Sequence, residues 1–239
     1  MVNTFDISKK MHAVKNNSTR YTKEIEPRIF IVSKWIGKNN KVLDVGCYNG
    51  WYSSFFKNNN NKVYGIDAIE DGVKEAIGKG IKAKVANAEE KFPFKNNFFD
   101  VIHAGEIIEH LYDTDTFIKE CYRVLKKNGT LIITTSNVVS LPRRILYFLG
   151  SGKFFEASNT FSTEKINGKN AAVGHIRFFT KYLLRNFIES KGFKMVKFTS
   201  DYVNFPFGIQ SKLLAKIKPT FGRSLITKFI KKENEKKQF

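Results

Sequence analysis

The sequence has little cysteine, little histidine, few acidic residues and no long apolar run. The shortage of cysteine and of long apolar runs each excludes a class of protein. Its 239 residues include 2 cysteines and 4 histidines. Cys47 and Cys121 are far apart in sequence, so we expect neither a disulfide framework nor a cysteine-based metal site. Because no run of roughly 18 apolar residues exists, a transmembrane helix is not expected.

No signal peptide is expected at the beginning of this sequence. The residues MVNTFDISKK contain no apolar core of a signal peptide. We therefore expect a cytoplasmic protein. With 42% hydrophobic and 14% aromatic residues, the chain can build a full core, and its length suits one large domain.

Acidic residues are outnumbered by basic ones. The chain has 41 lysines and arginines against 22 aspartates and glutamates, which gives a formal net charge of +19. Such an excess favours attraction to the phosphates of nucleic acid, of nucleotide-linked sugars or of an anionic membrane. The alternative is a basic surface that merely follows from genome composition. The dispersion of the lysines along the chain supports this alternative.

Strand and helix patterns alternate along most of the chain. Strands are predicted at 41–46, 62–67, 81–86, 98–104, 130–136, 193–200 and 223–230. Helices are predicted at 24–38, from Gly50 onward, at 114–127 and at 180–191, with an amphipathic stretch at 208–217. Apolar strands without strict alternation, separated by helices, predict an α/β fold with a Rossmann-like, doubly wound, mostly parallel sheet.

The stretch VLDVGCYNGWYSSFF (42–56) carries the strongest functional pattern. Gly46 lies where the first strand ends, Gly50 opens the next helix, and Asp67 ends the second strand. Ligands of open parallel sheets bind at the carboxyl ends of strands, where glycine allows close approach and a carboxylate can accept both ribose hydroxyls. The pattern G-x-G-x-x-G is absent, so a nucleoside is favoured over a dinucleotide. The alternative is a plain glycine turn beside a surface aspartate.

Several motifs together resemble one enzyme family. VLDVGCYNG and VYGID resemble the first and second motifs of the class I S-adenosylmethionine-dependent methyltransferases. ANAEEKFPFKNNFFDVI and RVLKKNGTLIITTSN resemble the stretches around their fourth and fifth strands. The likeness covers roughly residues 20–200 and is strongest to the branch with quinone-biosynthesis and sugar-modifying enzymes.

This resemblance implies a seven-stranded sheet with a cap insertion after the fifth strand, all in a single methyltransferase domain. Its parts would be an N-terminal arm and helix (1–40), a cofactor-binding core (41–137), a substrate-side insertion (138–175) and a C-terminal helix with strands (176–239).

The resemblance also implies S-adenosyl-L-methionine as cofactor, released as S-adenosyl-L-homocysteine. Tyr48 stands where the family usually has a glycine, so its side chain must turn away from the cofactor or lie over it. Asn87 replaces a usual aspartate, but its amide oxygen can still accept from the adenine amino group. The implied cofactor contacts are Asp44 and Gly46 at the methionine part, Tyr48 in the turn, Asp67 on the ribose, Ala68 beside the adenine, Asn87 and Ala88 at the adenine edge, and Gly105 near the sulfonium.

Methyl transfer to a hydroxyl needs placement of the acceptor and benefits from a general base. Histidine suits this task near neutral pH. His110 and His175 are predicted on the cofactor side of the sheet and are the candidate catalytic residues, together with Glu106. His103 is predicted to be a core residue of the fourth strand, and His12 lies in the N-terminal arm.

The stretch EIIEH (106–110) suggests a metal site. Glu106, Glu109 and His110 are predicted to share one helical face, and two carboxylates with an imidazole can hold a divalent metal. The pattern is similar to the E-x-x-E-H of certain quinone O-methyltransferases and of small-RNA terminal ribose methyltransferases; in the RNA group a later histidine completes the site, as His175 could here. The alternative, a metal-free element that positions substrate, is favoured, so no metal ligand is assigned.

Three functions remain open. The favoured one is methylation of a small-molecule, glycan or lipid-linked hydroxyl. The others are RNA ribose 2'-O-methylation and a non-catalytic cofactor-binding module. Methylation of a base amine is disfavoured, because HAGE stands where such enzymes carry N/D-P-P-Y. Segments 138–155 and 205–219 mix apolar residues with cations, which predicts either a lid over the cleft, the favoured alternative, or peripheral contact with an anionic membrane.

Overall fold

The structure, a computed structural model, describes residues 21–150, 165–166, 169–170, 174–205 and 209–232. Its helices are α1 (Tyr21–Ile36), α2 (Trp51–Phe56), α3 (Glu70–Gly78), α4 (Thr114–Val124), α5 (Leu141–Phe148), α6 (Lys181–Ser190) and α7 (Lys212–Ile217), with short 3-10 turns at Ile108–His110 and Pro219–Phe221. Its strands are β1 (Lys41–Val45), β2 (Lys62–Asp67), β3 (Lys82–Val85), β4 (Phe99–Gly105), β5 (Leu125–Ser136), β6 (Lys165–Ile166), β7 (Lys169–Asn170), β8 (Phe193–Thr199), β9 (Val203–Asn204), β10 (Gln210–Ser211) and β11 (Ser224–Lys231).

The main sheet has seven strands in the order β3-β2-β1-β4-β5-β11-β8. Strands β1 to β5 pair in parallel, whereas β11 is antiparallel to both of its neighbours. The predicted doubly wound, mostly parallel sheet is confirmed. Because the chain leaves β3 at one edge and re-enters beside β1 as β4, the strand order reverses there, and a ligand crevice is expected at the carboxyl ends of β1 and β4.

The sheet is buried on both faces. In β1, Leu43 and Val45 belong to one hydrophobic cluster, and Val42 belongs to a second cluster with Phe56 of α2. Neighbouring residues of one strand point to opposite faces, so an apolar strand without alternation needs helices on both sides. Each fully buried aliphatic side chain contributes about 1.5–3 kcal/mol to stability.

Helix α4 shows why one boundary differs from its prediction. Asp113 caps the helix by accepting a hydrogen bond from the backbone N–H of Thr116 at 2.8 Å. The helix was predicted to run to residue 127, but it ends at Val124, because Leu125 already pairs with Phe99 in the sheet. Strand β5 therefore begins five residues before its predicted start at 130.

Parts of the predicted domain plan lie outside the described residues. These are the N-terminal arm 1–20, half of the insertion 138–175, residues 206–208 and the last seven residues. The described part of the insertion contains α5 and the antiparallel pair β6–β7. No helix in the described ranges is long and apolar enough to cross a bilayer. The cytoplasmic location stays a prediction.

Candidate functional site

The turn after β1 requires glycine for two reasons. Gly46 has a φ of +77°, and its N–H donates to the carbonyl of Ile66 at 2.8 Å. A Cβ at this position would lie 2.9 Å from Cδ1 of Ile107, which follows β4. The backbone of β1 therefore comes close to the segment after β4, as a ligand site at the strand reversal needs. Gly50, with a φ of +71°, packs as closely against Ala76 of α3.

Tyr48 and Asp67 join the turn to the end of β2. The N–H of Tyr48 donates to Oδ2 of Asp67 at 2.7 Å, and the N–H of Ile69 donates to Oδ1 at 2.9 Å. Asp67 is buried, and its carboxylate offers about four acceptor positions at the end of β2. The Tyr48 side chain lies against Gly72 of α3, where an added Cβ would be 2.6 Å from Tyr48 Cδ2. It is thus directed towards α3 rather than over the turn.

The other predicted cofactor residues lie along the same edge of the sheet. Half-buried Ala68 follows β2, exposed Asn87 and buried Ala88 follow β3, and half-buried Gly105 ends β4. The Asn87 amide oxygen accepts from the N–H of Glu89 at 3.0 Å. The fold brings these four positions to the carboxyl ends of adjacent strands. Their contacts with a cofactor stay a prediction.

Asp44 has partners inside the protein. Its carboxylate accepts from Ser53 Oγ at 2.5 Å and contacts His103 Nδ1 at 2.7 Å, and all three side chains are buried. Asp44 therefore links β1, α2 and β4 beneath the turn, and His103 is the core residue that was predicted. Burial, with the charges of Asp44 and Asp67, raises the pKa of the Cys47 thiol.

The helical face predicted for EIIEH is wrong. Only Ile108–His110 forms a helical turn, of the 3-10 type, and Glu106 precedes it with a φ of +52°. Left-handed backbone at Glu106 turns its side chain away from the direction that an α-helix would give. Its carboxylate pairs with Arg28 of α1 at 2.7 Å.

Glu109, His110 and His175 converge instead. One ligand atom from each lies within 4.8 Å of the others. Nε2 of His175 is 3.9 Å from Oε1 of Glu109, and the two imidazole rings meet edge to face with centroids 4.8 Å apart. The backbone N–H groups of Ile176 and Arg177 both donate to the Glu109 carbonyl, at 2.9 and 3.2 Å. These bonds hold the His175 segment against the 3-10 turn.

The buried carboxylate of Glu109 gives this cluster its electrostatic character. The residue is 1% exposed, and neither carboxylate oxygen has a hydrogen-bond partner within the described part of the chain. Burial and the charge of Glu106 raise the pKa of Glu109 well above its usual range. A divalent cation would supply the missing partner, and one carboxylate with two imidazoles is a suitable donor set. Glu109, His110 and His175 thus fit a metal ion.

Arg28 is a site residue that the sequence analysis missed. Its Nε donates to the Tyr52 hydroxyl at 3.1 Å, its guanidinium lies over the Tyr52 ring, and it forms the ion pair with Glu106. Burial by itself would lower the pKa of this guanidinium, but the charge of Glu106 and the Tyr52 hydroxyl outweigh it and raise the pKa. An arginine inside the otherwise apolar stretch PRIFIV of α1 is the signal that could have revealed it.

The fold and the residues at the carboxyl ends of its parallel strands define a class of protein. An open α/β sheet with this strand order, a glycine turn after β1 and an acid at the end of β2 is a nucleoside-binding arrangement. A SAM-dependent methyltransferase from Methanosarcina mazei has a similar fold, with a TM-score of 0.62 over 85% of this chain and 98% of that chain, at 18% identity.

Sequence comparisons match part of the chain to a family of enzymes. Residues 43–133 match the family model described as a methyltransferase domain. The mitochondrial ubiquinone biosynthesis O-methyltransferase of Bos taurus is 34% identical over 110 residues, 42% of this chain and 30% of that protein. The ubiquinone biosynthesis O-methyltransferase of Pelagibacter ubique is 41% identical over 106 residues, 42% of this chain and 43% of that protein. Residues 43–133 are thus similar to a methyltransferase domain, and the match spans less than half the length of these curated relatives.

Proposed function

We propose that this protein transfers a methyl group from S-adenosylmethionine to a hydroxyl of a small acceptor, with a phenolic hydroxyl of a quinone precursor as the first choice. The observation that carries the proposal is the convergence of Glu109, His110 and His175 at the edge of the sheet that also holds the Gly46 turn. The relatives named as O-methyltransferases support it. A single methyltransferase domain and a cytoplasmic location belong to the same proposal.

The residues around the turn suit the cofactor. Gly46 allows close approach, and Asp67 can accept the ribose hydroxyls. The ion pair of Arg28 and Glu106, 2.7 Å apart, offers one charge of each sign. The methionine part of the cofactor is a zwitterion, so its carboxylate can pair with Arg28 and its ammonium with Glu106. When bound, the cofactor supplies an electrophilic methyl group on a sulfonium.

The acceptor oxygen has to lose its proton as it gains the methyl group. A phenol has a pKa near 10, so it is mostly protonated at neutral pH. Nδ1 of His110 donates to the carbonyl of Gly174 at 2.9 Å, so the neutral ring carries its lone pair on Nε2. An imidazole of this kind can take the proton. In the alternative with a metal, the Nε2 lone pair of His110 would bind a divalent cation together with Glu109 and His175. The cation would then lower the pKa of the hydroxyl, and the proton would pass to solvent and not to His110.

Methyl transfer to a 1,2-dihydroxybenzene acceptor tests the proposal, with product detected by mass spectrometry. We expect Glu109→Gln and His175→Ala to lower turnover by about 100-fold or more, while affinity for S-adenosylhomocysteine is kept. Glu75→Gln, the same chemical change on the surface of α3, should leave turnover unchanged. Normal turnover in both cluster variants would contradict the proposal, and activity that survives a chelator would remove the metal from it.

An RNA ribose hydroxyl is the second candidate acceptor, because the net charge of +19 favours phosphate binding. RNA binding that weakens steeply with salt, together with a methylated ribose in the product, would favour this candidate. Glycan and lipid-linked hydroxyls call for the same residues and are separated by the acceptor that turns over. A non-catalytic module would bind the cofactor and consume none.

A further inference from the structure

We propose that the protein docks onto an anionic phospholipid bilayer through a surface formed by α5 and α7. We call it the basic apolar surface. It consists of exposed apolar residues and the cations between them: Ile145, Phe148, Leu149, Ile209, Leu213 and Ile217, with Arg144, Lys212, Lys216 and Lys218. Docking is a property separate from methyl transfer and does not depend on it.

The apolar side chains of this surface point away from the protein. Phe148 is 90% exposed, and α5 buries none of its residues. In α7, Leu213 and Ile217 are 68% and 70% exposed, whereas Ala215 is fully buried. Residues two apart on an α-helix point about 200° apart, so the apolar stripe of α7 lies opposite its packed side. Large protruding apolar residues of this kind mark an interaction site.

The two helices are neighbours on one side of the molecule. Both α5 and α7 contact β9 and the 3-10 turn Pro219–Phe221. These elements lie next to the ends of β5 and β8 and the start of β11, at the carboxyl edge of the parallel strands. The basic apolar surface is therefore on the same edge as the candidate site, where an acceptor dissolved in a membrane could enter.

The charge of this surface has one sign. Residues 138–150 and 209–223 contain no aspartate or glutamate, while both helices carry cations beside their apolar stripes. Apolar side chains flanked by lysine and arginine are the pattern of helices that lie in the headgroup region of anionic membranes. A protein partner would have to be acidic and to accept strongly protruding side chains. The headgroup region of a membrane accepts such side chains more easily than the surface of a folded protein does.

A cavity between α5 and α6 adds cations next to this surface. It has a volume of about 330 Å³ and is lined by Arg144, Lys181 and Arg185 together with apolar side chains such as Val139 and Leu225. Arg185 also pairs with Glu189 at 3.0 Å. A lipid phosphate at this cavity would meet two further cations.

Vesicle flotation of the full chain tests the proposal. Vesicles of phosphatidylcholine alone are compared with vesicles that also contain phosphatidylglycerol, at low and high salt. We expect binding to the anionic vesicles at low salt, and we expect Phe148→Ser with Leu213→Ser to lower it by about tenfold or more. Ile77→Ser, an equally polar change at an exposed position on α3, serves as the control.

A second pair of variants separates the surface from the overall charge. Lys212→Glu with Lys216→Glu should abolish binding, whereas Lys194→Glu with Lys197→Glu on β8 changes the net charge equally and should keep it. Thermal unfolding and S-adenosylhomocysteine binding show whether each variant is folded. The proposal is overturned by no binding to anionic vesicles at low salt, by equal binding to neutral vesicles, or by equal losses in the matched pairs. Binding of an acidic protein in place of vesicles would also overturn it.

Discussion

Nδ1 of His110 donates a hydrogen bond to the carbonyl oxygen of Gly174, 2.9 Å away and 64 residues later in the sequence. This bond fixes the imidazole next to His175 and leaves the lone pair of the neutral ring on Nε2. It also ties the segment before α6 to the 3-10 turn after β4. The backbone carbonyl of Gly174 thus orients the His110 imidazole and keeps it close to His175.

Replacing Asp67 by asparagine should weaken cofactor binding by about tenfold or more. Hydrogen bonds to a charged group contribute about 1.5–3 kcal/mol, and the neutral amide offers fewer acceptor positions for the ribose. Titration calorimetry with S-adenosylhomocysteine measures the change. Asp71→Asn, on the exposed side of α3, is the matched control. An unchanged affinity in Asp67→Asn would contradict the assignment of the ribose to Asp67.

Two glycine substitutions should act in opposite directions. Gly46→Ala forces an alanine to a φ of +77° and brings its Cβ to 2.9 Å from Ile107 Cδ1, so the free energy of unfolding should fall by about 1–3 kcal/mol. Gly78→Ala meets no atom within 4 Å and should raise it by about 0.5–1 kcal/mol, because alanine is the better helix former. Urea denaturation checks both values. Equal effects would mean that the close approach at Gly46 is absent.

The stability of the metal-free protein should depend on pH through Glu109. Its folded-state pKa is raised above the ordinary value of 4.5, so above that pH the folded state binds more protons than the unfolded state. The free energy of unfolding then falls as pH rises, until the folded-state pKa is passed. Glu109→Gln removes this loss. The free energy of unfolding of the variant should therefore equal that of the wild type below pH 4.5 and exceed it by a growing margin above that pH.

Urea denaturation in a chelator, at a series of pH values, tests the Glu109 prediction. A constant difference between Glu109→Gln and the wild type across pH would show that Glu109 titrates normally. Adding a divalent cation to the wild type should recover stability, because an ion that binds only the folded state stabilises it. The Glu109→Gln variant should recover less stability when the cation is added.

The two cysteines should be unreactive in the folded protein. Both thiols are buried, and burial raises the pKa of Cys47 and of Cys121, which keeps them protonated. Iodoacetamide should label neither residue in native buffer within the time that labels both in denaturant. Mass spectrometry of the labelled chain reads this out. Rapid native labelling of Cys47 would show that the turn after β1 opens readily.

Patterns confined to one segment were predictable from the sequence. Gly46, Gly50 and Asp67 could be placed because a glycine turn and a strand end are local features, and the mostly parallel sheet followed from the alternation of apolar strands with helices. The boundary between α4 and β5 was not predictable in this way. It depends on the pairing of Leu125 with Phe99, which no local propensity specifies.

The sequence by itself determined the sheet, the cofactor-side turn and the presence of chemically capable residues near it. Only the tertiary structure decided which of them meet: Glu109 and His110 with His175, and Glu106 with Arg28 rather than with the cluster. It also decided that Tyr48 packs on Gly72. The physical reason is that such contacts join segments far apart in the chain. Their geometry depends on how whole elements pack, and periodicity within one element carries no information about it.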